Sequence, residues 1–151
     1  MMNIRQEKLY KEWEGLCDLN DIKPEDDAII CGSAILYAKK INEKIRDMDI
    51  MITNQEVWHR LLKKYPLQKS NSTDEEVIIW ANGKIEIKDT FLSKYDFVFD
   101  ELNDVEIIDG IRFLSLQKVK DYKIILNRKK DQQVLKLIET YEKRQSGFLE
   151  R

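Results

Sequence analysis

Ile29-Ile30-Cys31-Gly32-Ser33, a run of mostly helix-forming residues, and then Arg46-Asp47-Met48-Asp49-Ile50-Met51-Ile52 decide how this chain reads. The first segment is a short apolar strand ending in a Gly-Ser turn, and the second is a strand with alternating carboxylates. Side chains along a strand point alternately to its two faces. Asp47 and Asp49 therefore share a face, roughly 7 Å apart, while Met48 and Ile50 face the core. A backbone turn able to wrap phosphates, beside two carboxylates able to bind magnesium, suits a nucleoside triphosphate.

Working outward, Leu9, Trp13 and Leu16, with Tyr10 and Cys17 alongside, predict an amphipathic helix over about 4–18, followed by a polar connection over Asp18 to Asp27. After Gly32 the apolar positions Ile35, Leu36, Ala38 and Ile41 predict a helix. Thr53 with Glu56 forms a capping box for another through Val57, Trp58, Leu61, Leu62 and Tyr65, which Pro66 stops. Lys69 to Glu76 is a candidate mobile loop. Asn82-Gly83 and Asp109-Gly110 signal two-residue turns, giving hairpins at about 77–81 with 84–89 and 104–108 with 111–114; a strand near 96–99 is expected between them. Ser115 caps a helix with Leu116, Val119, Tyr122 and Leu126 on one face. Asp131 opens a last helix through Val134, Leu135, Ile138 and Tyr141, with fraying expected after Gly147.

At 151 residues the chain is the size of one compact domain, 1–151, closed by a C-terminal helical pair at about 115–143. The expected class is α/β (α+β): a mixed, twisted sheet with flanking helices. Charged residues make up 36%, yet the net charge is only -2, so a nucleic-acid partner would need a local basic patch. Cys17 and Cys31 lack metal or redox spacing. No basic-headed apolar leader or long apolar run occurs, so a cytoplasmic chain with reduced thiols and no membrane partner is expected. His59 is the one histidine, which disfavours a histidine-ligated metal or a hydrolase triad.

A triphosphate is usually handled with two magnesium ions about 4 Å apart, which carboxylates must hold. Two carboxylates rarely suffice for that. Ile85-Glu86-Ile87 repeats the apolar-acid-apolar alternation after the Asn-Gly turn, making Glu86 the candidate third acid, with Asp89, on the opposite face, as its competitor. Gly32 and Ser33 would offer backbone N–H groups, a helix N-terminus and a hydroxyl to the β and γ phosphates. No Gly-Lys-Ser/Thr follows, so this is not a P-loop.

The Gly-Ser turn and Asp-x-Asp strand resemble the nucleotidyltransferase superfamily typified by DNA polymerase beta and the minimal nucleotidyltransferases. Ser115-Leu116-Gln117, Lys123, Arg128 and Lys130-Asp131 are similar to a segment of small bacterial members, some related to abortive-infection antitoxins. The resemblance spans roughly residues 28–141. It implies an enzyme that joins an acceptor hydroxyl to the α phosphorus of a nucleoside triphosphate and expels pyrophosphate, with Asp47, Asp49 and Glu86 as catalytic and metal-binding acids and two magnesium ions. It also places Glu86 where the superfamily has its third acid, and Lys123 and Arg128 on the active-site side, where as surface cations they would neutralise the triphosphate or grip the acceptor; the plainer role for either is to complement the dipole at a helix C-terminus. Asp131 is expected to cap a helix or orient Arg128. The acceptor it leaves open is a protein side chain, an RNA 3′ end or a small molecule. An alternative is an antitoxin-like scaffold acting through a toxin-like protein partner. The chain departs from relatives at Glu43 and Ile45, where an Arg and a Ser or Thr are common; Lys44 and Arg46 are basic but shifted in register.

Overall fold

The computed structural model describes residues 3–92 and 100–149, and the expected strand near 96–99 lies outside them. A 3-10 turn (Ile4–Gln6) precedes α1 (Lys8–Asn20), α2 (Pro24–Asp27), β1 (Ala28–Cys31), α3 (Ala34–Ala38), β2 (Met48–Ile52) and α4 (Gln55–Lys64). Then come β3 (Gln68–Lys69), β4 (Glu76–Trp80), β5 (Ile85–Lys88), β6 (Val105–Ile108), β7 (Ile111–Leu114), α5 (Leu116–Leu126) and α6 (Lys129–Leu149). The strands form one mixed sheet in the order β3-β4-β5-β2-β1-β7-β6, flanked by the helices, which is the expected α+β class. None of the described helices is long and apolar enough to cross a membrane.

β1 is four apolar residues, all buried, as suits a central strand packed on both faces. It pairs antiparallel with β2 and parallel with β7, and β2 pairs parallel with β5. Trp13, Tyr10, Leu16, Ile29, Leu36, Ile52 and Phe113 are the large side chains of the shared core, each less than 2% exposed. Burying each stabilises the fold by about 1.5–3 kcal/mol against the chain entropy lost.

Several boundaries differ from the sequence reading for identifiable reasons. Asn3 and Gln6 form a capping box around the 3-10 turn, so α1 starts later. It runs on to Asn20, ending at Asp21 in the left-handed region, and Pro24 at the first turn of α2 adds a short helix inside the supposed connection. α3 is only five residues long, because Asp49 must return to pair with Cys31. A helix continued toward Arg46 would carry the chain about 20 Å away. Instead Lys40 adopts a positive φ of 62°, and the Ile41 and Asn42 amides both bond back to the Leu36 carbonyl.

The N-cap of α4 is Asn54, whose side chain accepts from the Glu56 and Val57 amides; Thr53 Oγ1 instead accepts from Arg112. The β4–β5 turn spans four residues, with Ala81 and Asn82 at positive φ and the Lys84 amide bonded to the Ala81 carbonyl. By contrast β6 and β7 are joined by Asp109-Gly110 alone, both at positive φ, as a two-residue hairpin requires. Ser115 caps α5 by accepting from the Lys118 amide.

Candidate active site

The register of three neighbouring strands sets the site. Cys31 on β1 pairs with Asp49 on β2, and Asp49 pairs with Glu86 on β5, so the two carboxylates stand side by side on one sheet face. Asp47 sits just before β2 begins, two residues upstream and solvent-exposed. Gly32 stands behind Asp49: it has a φ of +73°, and a Cβ added there would lie 2.7 Å from Asp49 Oδ2. Only glycine allows both that turn and that approach.

These acids open onto a cleft of about 510 Å³. It is lined by Ser33 and Ala34, the returning segment with Asn42, Lys44, Ile45 and Arg46, the loop residues Asn71 and Ser72, Gly83 and Lys84, and Lys123, Arg128, Lys130, Gln133, Val134 and Leu137. Asp47, Asp49 and Glu86 line it too, whereas Asp89 lies past the end of β5 and does not. Six cations therefore face three acids, a local reversal of the chain's net charge of -2.

Crowding shows in the protonation of Asp49. Burial first, then the charges of Asp47 and Glu86, push its carboxyl up to about 7, against the opposing pull of Lys123 and Lys130. Burial, with Asp49 next, likewise keeps the Cys31 thiol well above its ordinary value, so Cys31 is a packing residue and no thiolate nucleophile. His59 is an exposed position on α4 and is not among the residues that line the cleft.

The basic residues divide into two kinds. Arg128 clasps Asp131 with Nε to Oδ2 at 2.6 Å and Nη2 to Oδ1 at 3.0 Å, and Lys123 Nζ lies 3.1 Å from Oδ1. Asp131 is fully buried and Lys123 is 7% exposed. Burial alone would raise the Asp131 carboxyl; the hydrogen bonds from the Arg128 side chain and amide and from Lys123 outweigh it and hold it below its ordinary value. Lys123 is thus no surface cation, contrary to expectation. Lys44, Arg46, Lys84 and Lys130 form no ion pair among the described residues. Lys84 carried no sequence signal, and it enters the cleft only because the four-residue turn places it there.

Ser33 lines the cleft and its side chain makes no cap hydrogen bond to α3, while the shortness of α3 leaves little helix dipole to aim at phosphates. The supposed mobile loop is anchored: Ser70 Oγ donates to Glu86 Oε1 at 2.6 Å and the Asn71 amide donates to Oε2 at 3.0 Å. Among the described residues no three His, Cys, Asp or Glu side chains are gathered as a metal-holding group.

No protein-family model matches the chain, and no curated protein matches it. Among solved structures it is similar to JHP933 from Helicobacter pylori, at 15% identity and a TM-score of 0.43, over 78% of this chain and 56% of that one. A likeness of that size carries no argument about fold or activity.

Proposed function

We propose that the cleft carries out magnesium-dependent nucleotidyl transfer, moving a nucleoside monophosphate from a triphosphate to an acceptor hydroxyl. The observation that carries this reading is the pairing of Asp49 with Glu86 on adjacent strands, beside four cations that form no ion pair among the described residues. Asp49 and Glu86 stand side by side as hard oxygen donors, and the burial and neighbouring negative charge that raise the Asp49 carboxyl are what a bound cation would offset, so the pair suits magnesium although Asp47 is not gathered with them as a third donor. Asp49 and Glu86 would hold it, with Asp47 on the cleft wall two residues upstream of Asp49, and the metal would supply the positive charge that steadies the attacking and leaving oxygens.

The chain's own groups account for the rest. Lys44, Arg46, Lys84 and Lys130 meet the phosphate charge, and the Ser33 hydroxyl adds a neutral donor. The acceptor oxygen bonds to the α phosphorus, the bond from that phosphorus to pyrophosphate breaks, and the hydroxyl proton passes to a cleft carboxylate, for which Glu86 is the candidate. The acceptor is a protein side chain, an RNA 3′ end or a small molecule, and the setting is the cytoplasm, where the two free cysteines stay reduced.

A second reading is favoured by one observation, the lack of a gathered three-acid group among the described residues. On that reading the domain is an antitoxin-like scaffold that works through a protein partner. One assay separates them. Protein, magnesium, α-labelled triphosphate and a lysate as acceptor pool should yield a labelled acceptor and pyrophosphate, and Asp49→Asn should abolish both. Absence of transfer across all four nucleotides would favour the scaffold.

A further inference from the structure

Three consecutive residues of the loop between β3 and β4 touch the cleft's chemistry. Ser70 and Asn71 each donate to one oxygen of Glu86, and the Ser72 carbonyl accepts from Arg128 Nη1 at 3.3 Å. Ser70 Oγ also accepts from the Ser72 and Thr73 amides, each at 3.2 Å. A serine hydroxyl has one hydrogen and two acceptor lone pairs. Both amides can only donate, so the hydroxyl's hydrogen is committed to Glu86.

We infer that Ser70 is a positioning residue for Glu86, holding its carboxylate beside Asp49 with both oxygens oriented before any cation arrives; the inference rests on the nucleotidyl-transfer reading. Each carboxylate oxygen that accepts one hydrogen bond keeps a further lone pair, so the loop fixes Glu86 without using it up. Hydrogen-bonded partners of metal-binding carboxylates orient them in this way, and their loss typically weakens metal affinity or activity about 10- to 100-fold. The loop is tied at its other end. Asp131 fixes Arg128, Arg128 holds the Ser72 carbonyl, and the start of α6 is thereby connected to the acid on β5. A loop that merely closed β3 onto β4 would need none of the contacts to Glu86.

The test is a magnesium titration read by thermal unfolding, without nucleotide, for the wild type, Ser70→Ala and Ser70→Thr. Metal-free Ser70→Ala should melt within a few degrees of the wild type, while its half-saturating magnesium concentration rises about 10-fold or more. Ser70→Thr keeps the hydroxyl and should restore the wild-type midpoint. In the transfer assay Ser70→Ala should lower kcat and leave KM for the triphosphate within about twofold, since the phosphate-facing cations are untouched. An unchanged magnesium midpoint in Ser70→Ala, or a Ser70→Thr as impaired as the alanine variant, would overturn the inference and leave the transfer reading standing. A wild type that does not respond to magnesium at all would remove both.

Discussion

Asp49 is held by its neighbours in a state that costs the fold stability at neutral pH. Its carboxyl is raised to about 7 by burial and by Asp47 and Glu86, so between about pH 4 and 7 the native chain binds a proton that the unfolded chain has released. The stabilisation tied to that proton is complete below about pH 4 and lost as pH rises through 7. Asp49→Asn removes the group. The variant should match the metal-free wild type near pH 4 and exceed it at pH 8, by no more than about 4 kcal/mol and by less where water at the cleft mouth screens the charges. Thermal unfolding of both proteins at the two pH values checks this; a constant difference would show that Asp49 is not crowded. At Gly32 the prediction reverses sign. Gly32→Ala would place a Cβ 2.7 Å from Asp49 Oδ2 at a φ of +73°, so it should lower stability by roughly 1–3 kcal/mol and abolish any magnesium-induced rise in melting temperature.

At the scale of elements, the turn from α5 to α6 is a buried ionic knot. Asp131 is fully buried against Arg128 and Lys123, so Asp131→Ala leaves Lys123, 7% exposed, without its counter-charge. A loss of about 3–5 kcal/mol in denaturant unfolding is expected, and a loss under about 1 kcal/mol would mean that the knot is open to water. The basic and acidic residues of this turn were legible in the sequence, as was the helix break, but their burial was not. A Lys at the end of one helix and an Asp in the first turn of the next are ordinary solvated positions unless the helices fold against each other. The same divide runs through the other elements. Asp109-Gly110 dictated its hairpin locally, and Ala28 to Cys31 read as a buried strand from composition alone. The end of α3 could not be read from helix-forming residues, since the need to return Asp49 to Cys31 overrides local propensity. Nor could the link from Ser70 to Glu86, which spans sixteen residues and two strands.

Across the whole molecule, a chain of net charge -2 gathers six cations and three acids around one cleft. Lys44, Arg46, Lys84 and Lys130 are exposed, so their attraction for a polyphosphate should be screened by salt. Triphosphate affinity should therefore fall as salt rises from about 0.05 to 0.5 M, and Lys84→Ala should reduce that salt dependence as well as the affinity; salt-independent binding would place the triphosphate elsewhere. On the nucleotidyl-transfer reading a metal ion links the acids to the triphosphate that the cations attract, which makes metal dependence the most direct test. The measurement is the affinity for a nonhydrolysable nucleoside triphosphate, by calorimetry, with and without magnesium, for the wild type, Asp49→Asn and Glu86→Gln. Magnesium should tighten binding to the wild type by about 10-fold or more and give little gain in either variant, a difference of about 1.4 kcal/mol or more. Equal affinity with and without magnesium in all three proteins, or no binding in any, would contradict the account.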